Sequence, residues 1–255
     1  MYFVHTPSGI PMQMDYRFAT SLNLIPTQTK YGVYGHNPTP TVGVDVWEGG
    51  TAYPFQLTAV QLEVLSASTN DGINGTGART VKITGLDSNY NQISEIITLN
   101  GTSIVQSVNK YFRVNAFDDI TAGSGQTNAG DITLRVTGAG ATQAIMRAGY
   151  GYAKSFIFTV PAGYSYVITD FVCQVAGTGN NVNITYGITK IENGVLFINN
   201  EFNATPSSAI DRKPVLGNLI PEKATITMRI TAIGGTPSGA FASIAGILIN
   251  NSSLL

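Results

Sequence analysis

From about residue 46 onward, apolar and polar positions alternate with a period of two. Val60, Leu62 and Val64 share one face of their segment, and residues 80–84 repeat the pattern around Val81 and Ile83. Ile93, Ile97 and Leu99 line up next, and residues 131–137 (DITLRVT) alternate cleanly. This period predicts half-buried β-strands. Between these runs lie Asn70-Asp71-Gly72, Asn74-Gly75, Asn100-Gly101 and Gly123-Ser124-Gly125. Asn and Gly tolerate the positive φ that tight hairpin turns demand. Residues 80–84 and 93–99, joined through 86–91, therefore read as a hairpin.

A second block begins near Lys154. Strands are predicted over 155–160, 164–175, 182–189, 195–198, 225–231 and 243–249, with Pro161-Ala162-Gly163, residues 177–181 and Glu192-Asn193-Gly194 as turns. Between the blocks, a Gly-rich stretch over 138–151 reads as a linker whose middle, 141–148, suits a short helical turn. Residues 1–45 differ again. Pro7, Pro11, Pro26, Pro38 and Pro40 disfavour helix interiors and central strands, and the interspersed aromatics argue against a free tail. The expected fold is thus all-β: an extended N-terminal arm over 1–45, a β-sandwich over 46–150, and a second, jelly-roll-like sandwich over 151–255. Asp118-Asp119, ahead of a Gly-rich loop, read as solvated loop residues.

Composition narrows the function classes. Only 11% of the 255 residues are charged, against roughly 25% in an average soluble domain. The net charge of −1 gives no broad attraction to nucleic acid or to an anionic membrane. No apolar run approaches the roughly 18 residues of a spanning helix, and no signal peptide is recognisable near residue 1. The expected partners therefore include neither nucleic acid nor membrane, and synthesis in the cytoplasm is expected.

Residues that usually carry chemistry are scarce: two His, one Cys and one Trp. His5 and His36 lack partners at metal-ligand spacing, so no metal site is expected. Cys173 sits in an apolar run and reads as a core residue. No nucleophile elbow occurs, and Asn70-Asp71-Gly72 lacks the remaining ligand spacing of a calcium loop. No catalytic residue and no cofactor are expected. The aromatics are the better signal. Tyr16, Phe18, Tyr31 and Tyr34 in the arm, with Tyr152 and Tyr164 after the linker, are candidate contact residues, since Tyr supplies interface area at low entropic cost.

Two stretches resemble a known family. Asp45-Val46-Trp47-Glu48-Gly49-Gly50, followed by Gly85-Leu86-Asp87-Ser88-Asn89-Tyr90-Asn91, is similar to structural proteins of tailed-bacteriophage heads, with Gln92 where that pattern has Glu. Val160-Pro161-Ala162-Gly163, Ile220-Pro221-Glu222-Lys223 and Gly246-Ile247-Leu248-Ile249 look like the C-terminal sandwich of similar virion proteins. The resemblance implies a non-enzymatic protein that decorates or cements a capsid, partnered by the major capsid protein and by itself as a homotrimer, on the virion surface. Tyr152 and Tyr164 would lie near such a contact. The alternative is a phage tail or receptor-binding module that reads a host glycan.

Overall fold

The computed structural model describes residues 2–5, 11–14, 19–20, 22, 24–179, 181–192, 194–206, 208, 210–212 and 218–253. The chain is all-β. β1 (Tyr2–His5) and β2 (Pro11–Met14) pair as a small antiparallel ribbon. β3 (Gln28–Asn37) follows, then β4 (Val60–Ser66), β5 (Ala78–Leu86), β6 (Gln92–Thr98), β7 (Val105–Tyr111), β8 (Arg113–Ala122), β9 (Ile132–Val136) and β10 (Thr142–Met146). The remaining strands are β11 (Ile157–Thr159), β12 (Tyr164–Ala176), β13 (Asn183–Glu192), β14 (Val195–Ala204), β15 (Ile210–Arg212), β16 (Asn218–Ile220), β17 (Thr225–Gly234) and β18 (Gly239–Asn250).

Strands β3 to β18 form two sandwiches, each around its own core. The first packs the sheet β10-β9-β4-β7 against β6-β5-β8. Its core draws Leu62, Val64, Ile132 and Leu134 from one sheet and Val81, Ile83, Ile97 and Phe117 from the other. The second packs β11-β17-β13-β14 against β15-β12-β18-β3. Its core gathers Tyr166, Ile168, Cys173 and Ile244 from one side and Ile184, Tyr186, Met228 and Ile230 from the other. The expected hairpin is β5–β6, in register from Thr80↔Thr98 to Leu86↔Gln92.

Three expectations change. The arm does not run to residue 45. β3 lies along β18 from Gln28↔Ile249 to Asn37↔Ala240, and Val33 and Val46 are part of the second core. Pro26 and Pro38 flank this strand rather than interrupt it, so their ladder hydrogen bonds are not missed. Residues 141–148 are not a helical turn. β10 pairs antiparallel with β9 and buries Gln143, Ala144 and Met146. Asp118 and Asp119 are not in a loop. They sit inside β8, whose register against β5 shifts three times. Those bulges break the alternation that would have marked the strand.

The segment Asp45–Tyr53 fastens the two sandwiches together. Asp45 is fully buried and takes hydrogen bonds from Thr227 Oγ1 at 2.7 Å, from Arg229 Nε at 3.1 Å and Nη2 at 3.0 Å, and from the Tyr53 amide at 2.8 Å. That end grips β17 of the second sandwich. Three residues on, Glu48 accepts from Arg147 Nε at 2.8 Å, just beyond β10, and bonds His36 Nδ1 of β3 at 2.7 Å. Burial pushes the Glu48 carboxyl up, but these two partners outweigh it and hold the group below the usual range. Trp47 packs edge-on against Tyr53, whose hydroxyl donates to the Gln143 carbonyl of β10 at 3.1 Å. Gly49 lies directly on the Trp47 indole: a Cβ there would stand 2.2 Å from a ring carbon.

Candidate functional site

The junction between the sandwiches opens into a cleft of about 600 Å³. One wall is the edge strand β3, from Tyr31 to Tyr34. The other is the edge strand β8, from Asn115 to Asp118. The connecting segment Tyr152–Ser155 lies between them. That segment is held by the bridge Asp118↔Tyr152, by the Ala153 amide donating to Phe117 O at 2.9 Å, and by the Asp119 amide donating to Gly151 O at 2.8 Å. The back is tied by a reciprocal pair. Asn115 Nδ2 donates to Thr159 O at 2.8 Å, and the Thr159 amide donates to Asn115 Oδ1 at 2.9 Å.

Three of the six aromatic candidates meet here. Tyr31 is half-buried, with its ring 4.5 Å from that of Phe158 and its hydroxyl donating to Asn115 O at 3.4 Å. Tyr34 is 57% exposed and Tyr152 39% exposed, and both line the cleft. Tyr34 and Tyr152 also border a smaller depression with Lys154 and Phe241. Lys154 Nζ sits 3.4 Å above the Tyr150 ring, a cation–π contact at the rim. Tyr164 is elsewhere: it is half-buried against the second core at the start of β12, opposite Asn250. Tyr16 and Phe18 lie outside the described residues.

The sequence reading missed Asp118 as a cleft residue. Desolvation raises its pKa, and the Lys82 charge offsets part of that rise. Its neighbour Asp119 points the other way. Both Asp119 carboxylate oxygens are closed off from solvent and have no hydrogen-bond partner among the described residues. Burial, then the Asp71 charge, raises this group to about 6, and Asp118 adds to the rise. The Asn128 amide lies close enough to draw it back in part, without forming a bond of normal geometry.

Asp119→Asn is expected to stabilise the chain at neutral pH. A folded pKa above the unfolded value of 3.8 means that the folded state holds its proton more tightly. Stability from this group is therefore lost as pH rises through about 6. Removing the charge should return about 1–2 kcal/mol at pH 7.5, after a discount because the residue as a whole is only part-buried. The gain should shrink as pH falls from about 6 towards 3.8. Urea denaturation of both proteins at pH 7.5 and at acid pH measures this. A gain that does not depend on pH would contradict it.

The groups most suited to chemistry serve the scaffold. His36 stacks on Phe241 with ring centroids 4.4 Å apart while bonded to Glu48. Cys173 is buried in the second core, and burial pushes its thiol up to about 12. Asp71, fully buried, accepts hydrogen bonds from Ser66 Oγ and from the Ala78, Ala129 and Gly130 amides. Among the described residues, no group of three or more His, Cys, Asp or Glu side chains is placed to hold a metal ion. No described helix is long and apolar enough to cross a membrane.

No family model matches the chain, and no curated protein matches it. Among solved structures it is similar to a chain of "Structure of infectious bursal disease virus Gt strain", at 12% identity, over 94% of this chain and 79% of that one. The TM-score is 0.23, a level at which no shared fold follows.

Proposed function

We propose that the chain is a non-enzymatic structural protein of a tailed-phage virion, attached to the shell of the major capsid protein as a homotrimer. The observation that carries this reading is where the family-like motif falls. Asp45, Trp47, Glu48 and Gly49 form the fastening between the sandwiches. In the second motif, Asp87 Oδ1 accepts from the Asn89 amide at 2.8 Å and the Asn91 amide at 2.9 Å and so shapes the β5–β6 turn. Residues that resemble the head-protein pattern thus maintain an architecture rather than a reaction centre. A rigid two-sandwich body suits a load-bearing role on a shell.

The surface adds support. Val195, Leu196, Phe197 and Ile198 are consecutive and exposed on β14, the terminal strand of its sheet among the described residues. Chains that stay alone usually blunt such an edge with charge or proline. Purified protein is expected to sediment as a trimer and to bind heads of the parent phage that lack it. Phe197→Asp should weaken attachment or trimer formation while leaving the fold intact. Analytical ultracentrifugation and co-sedimentation with heads decide the matter. A monomer that ignores heads would overturn the reading.

A further inference from the structure

We propose that the cleft between β3 and β8 is a binding site for a neutral saccharide, with Tyr34 and Tyr152 as stacking faces and the Asp118 carboxylate and Ser155 hydroxyl as hydrogen-bonding groups. The proposal goes beyond attachment to a shell and stands on the cleft alone.

Volume and rigidity come first. At about 600 Å³ the cleft has the size of small-ligand sites. Its walls are strands from two sandwiches that the Asp45–Tyr53 segment and the Asn115–Thr159 pair hold in place. A site on such walls is preformed, so a ligand loses little free energy in ordering it.

The chemistry of the lining selects the ligand. The Tyr34 ring lies back over Gly32: its Cε2 and hydroxyl are each 3.4 Å from where a Cβ of residue 32 would stand. The ring is thereby supported by the strand while remaining exposed. Among the described residues, the side chains of Tyr34, Tyr152, Ser155 and Asp118 make no hydrogen bond within the chain. Two exposed aromatic rings beside four unpartnered polar groups match a pyranose ring. Its C–H faces meet the negative face of an aromatic ring, and its hydroxyls need both donors and acceptors. A carboxylate accepts two adjacent hydroxyls at once.

Charge narrows the class. Asp118 is the one Asp or Glu of the lining, which holds no Lys, Arg or His; Lys154 stands outside this cleft, over Tyr150. A phosphate or an acidic sugar would meet the Asp118 carboxylate inside the cleft, while the nearest ammonium groups, Lys82 opposite Asp118 and Lys154 over Tyr150, lie outside the lining. A purely apolar ligand would leave the four polar groups desolvated and unpaired, which is costly. A neutral sugar satisfies both conditions.

The test is saturation-transfer NMR and calorimetry on the full chain with cellobiose, maltose, lactose and chitobiose. At least one is expected to bind saturably. Tyr34→Ala and Tyr152→Ala, both surface changes, should each weaken that binding by about tenfold or more. Val108→Ser, an exposed change outside the cleft, should leave it unaltered. Asp118→Asn should weaken binding, and far-UV circular dichroism checks that the fold persists. No saturable binding at about 20 mM, where even a millimolar site is filled, overturns the proposal. So does unchanged binding in both tyrosine variants, or a preference for sialyllactose over lactose. If the tyrosine variants instead lose attachment to heads while the parent protein binds no sugar, the cleft is a protein contact and the proposal fails. Head binding by the parent protein is scored separately, so the two readings fail independently.

Discussion

Asp45→Ala is expected to destabilise the chain by about 3–5 kcal/mol, the range for removing one partner of a buried ion pair. Asp45 has no solvent exposure and receives four hydrogen bonds from three residues. Its loss leaves the Arg229 guanidinium, only 23% exposed, without a counter-charge. It also strands the Thr227 hydroxyl in the core and the Tyr53 amide beneath it. The damage should not stay local, because the same segment carries Glu48 and Trp47 to the first sandwich. Scanning calorimetry should show a midpoint lower by roughly 10 °C. Limited proteolysis should show new cleavage between the two sandwiches. A shift below about 1 kcal/mol would mean that water replaces the carboxylate, and that the segment is not the fastening described.

Asp71→Ala should be comparably severe, for a different reason. Among the described residues, no Lys or Arg pairs with this carboxylate. It accepts at 2.6 Å from Ser66 Oγ, at 2.8 Å from the Ala78 amide, at 2.7 Å from the Ala129 amide and at 2.9 Å from the Gly130 amide. One side chain thus holds the end of β4, the start of β5 and the approach to β9. Alanine orphans three backbone donors, of which those of the buried Ala78 and Gly130 cost about 1–3 kcal/mol each. Part of this is offset, because the Asp119 carboxyl loses a like charge that raises its pKa. A net loss of about 3 kcal/mol or more is expected from denaturant titration. Asp71→Asn keeps the shape and should fall between alanine and the parent. If the two variants prove equally mild, the network is not what orders these loops.

The alternating runs made most of the second sandwich legible, and the β5–β6 hairpin as well. There, one face is buried, the other is wet, and turn residues mark the ends. What escaped has physical reasons. In β8 the bulges displace side chains from strict alternation, and an acidic pair in mid-strand mimics a loop. In β10 an Ala- and Gly-rich surrounding hides a five-residue strand whose burial is set by β9 rather than by its own pattern. β3 was obscured by its flanking prolines, and its partner is β18, too far along the chain for any local signal. For the candidate site, Tyr31, Tyr34 and Tyr152 could be singled out by residue type, because tyrosine stands out in a chain so poor in charge. Their convergence was not, since it depends on two edge strands from different sheets. Asp118 could not be singled out without knowing that β8 forms a wall.

The pairing of β3 with β18 also fixes an order of events during synthesis. Everything from β4 to β10, a complete sandwich, lies in the chain between β3 and the strands that β3 joins. The first sandwich is therefore an insertion within the second, and it can close while the second is still being made. β3 must wait until β18 leaves the ribosome, with its apolar residues uncovered meanwhile. Such long-range closure is slow. The same nesting makes a fragment starting at residue 151 an incomplete body, with the β18 edge bare and the place of Val33 and Val46 empty. Moving β3 to directly after β18 would turn the wait into a hairpin, with the same final contacts reached by a shorter search.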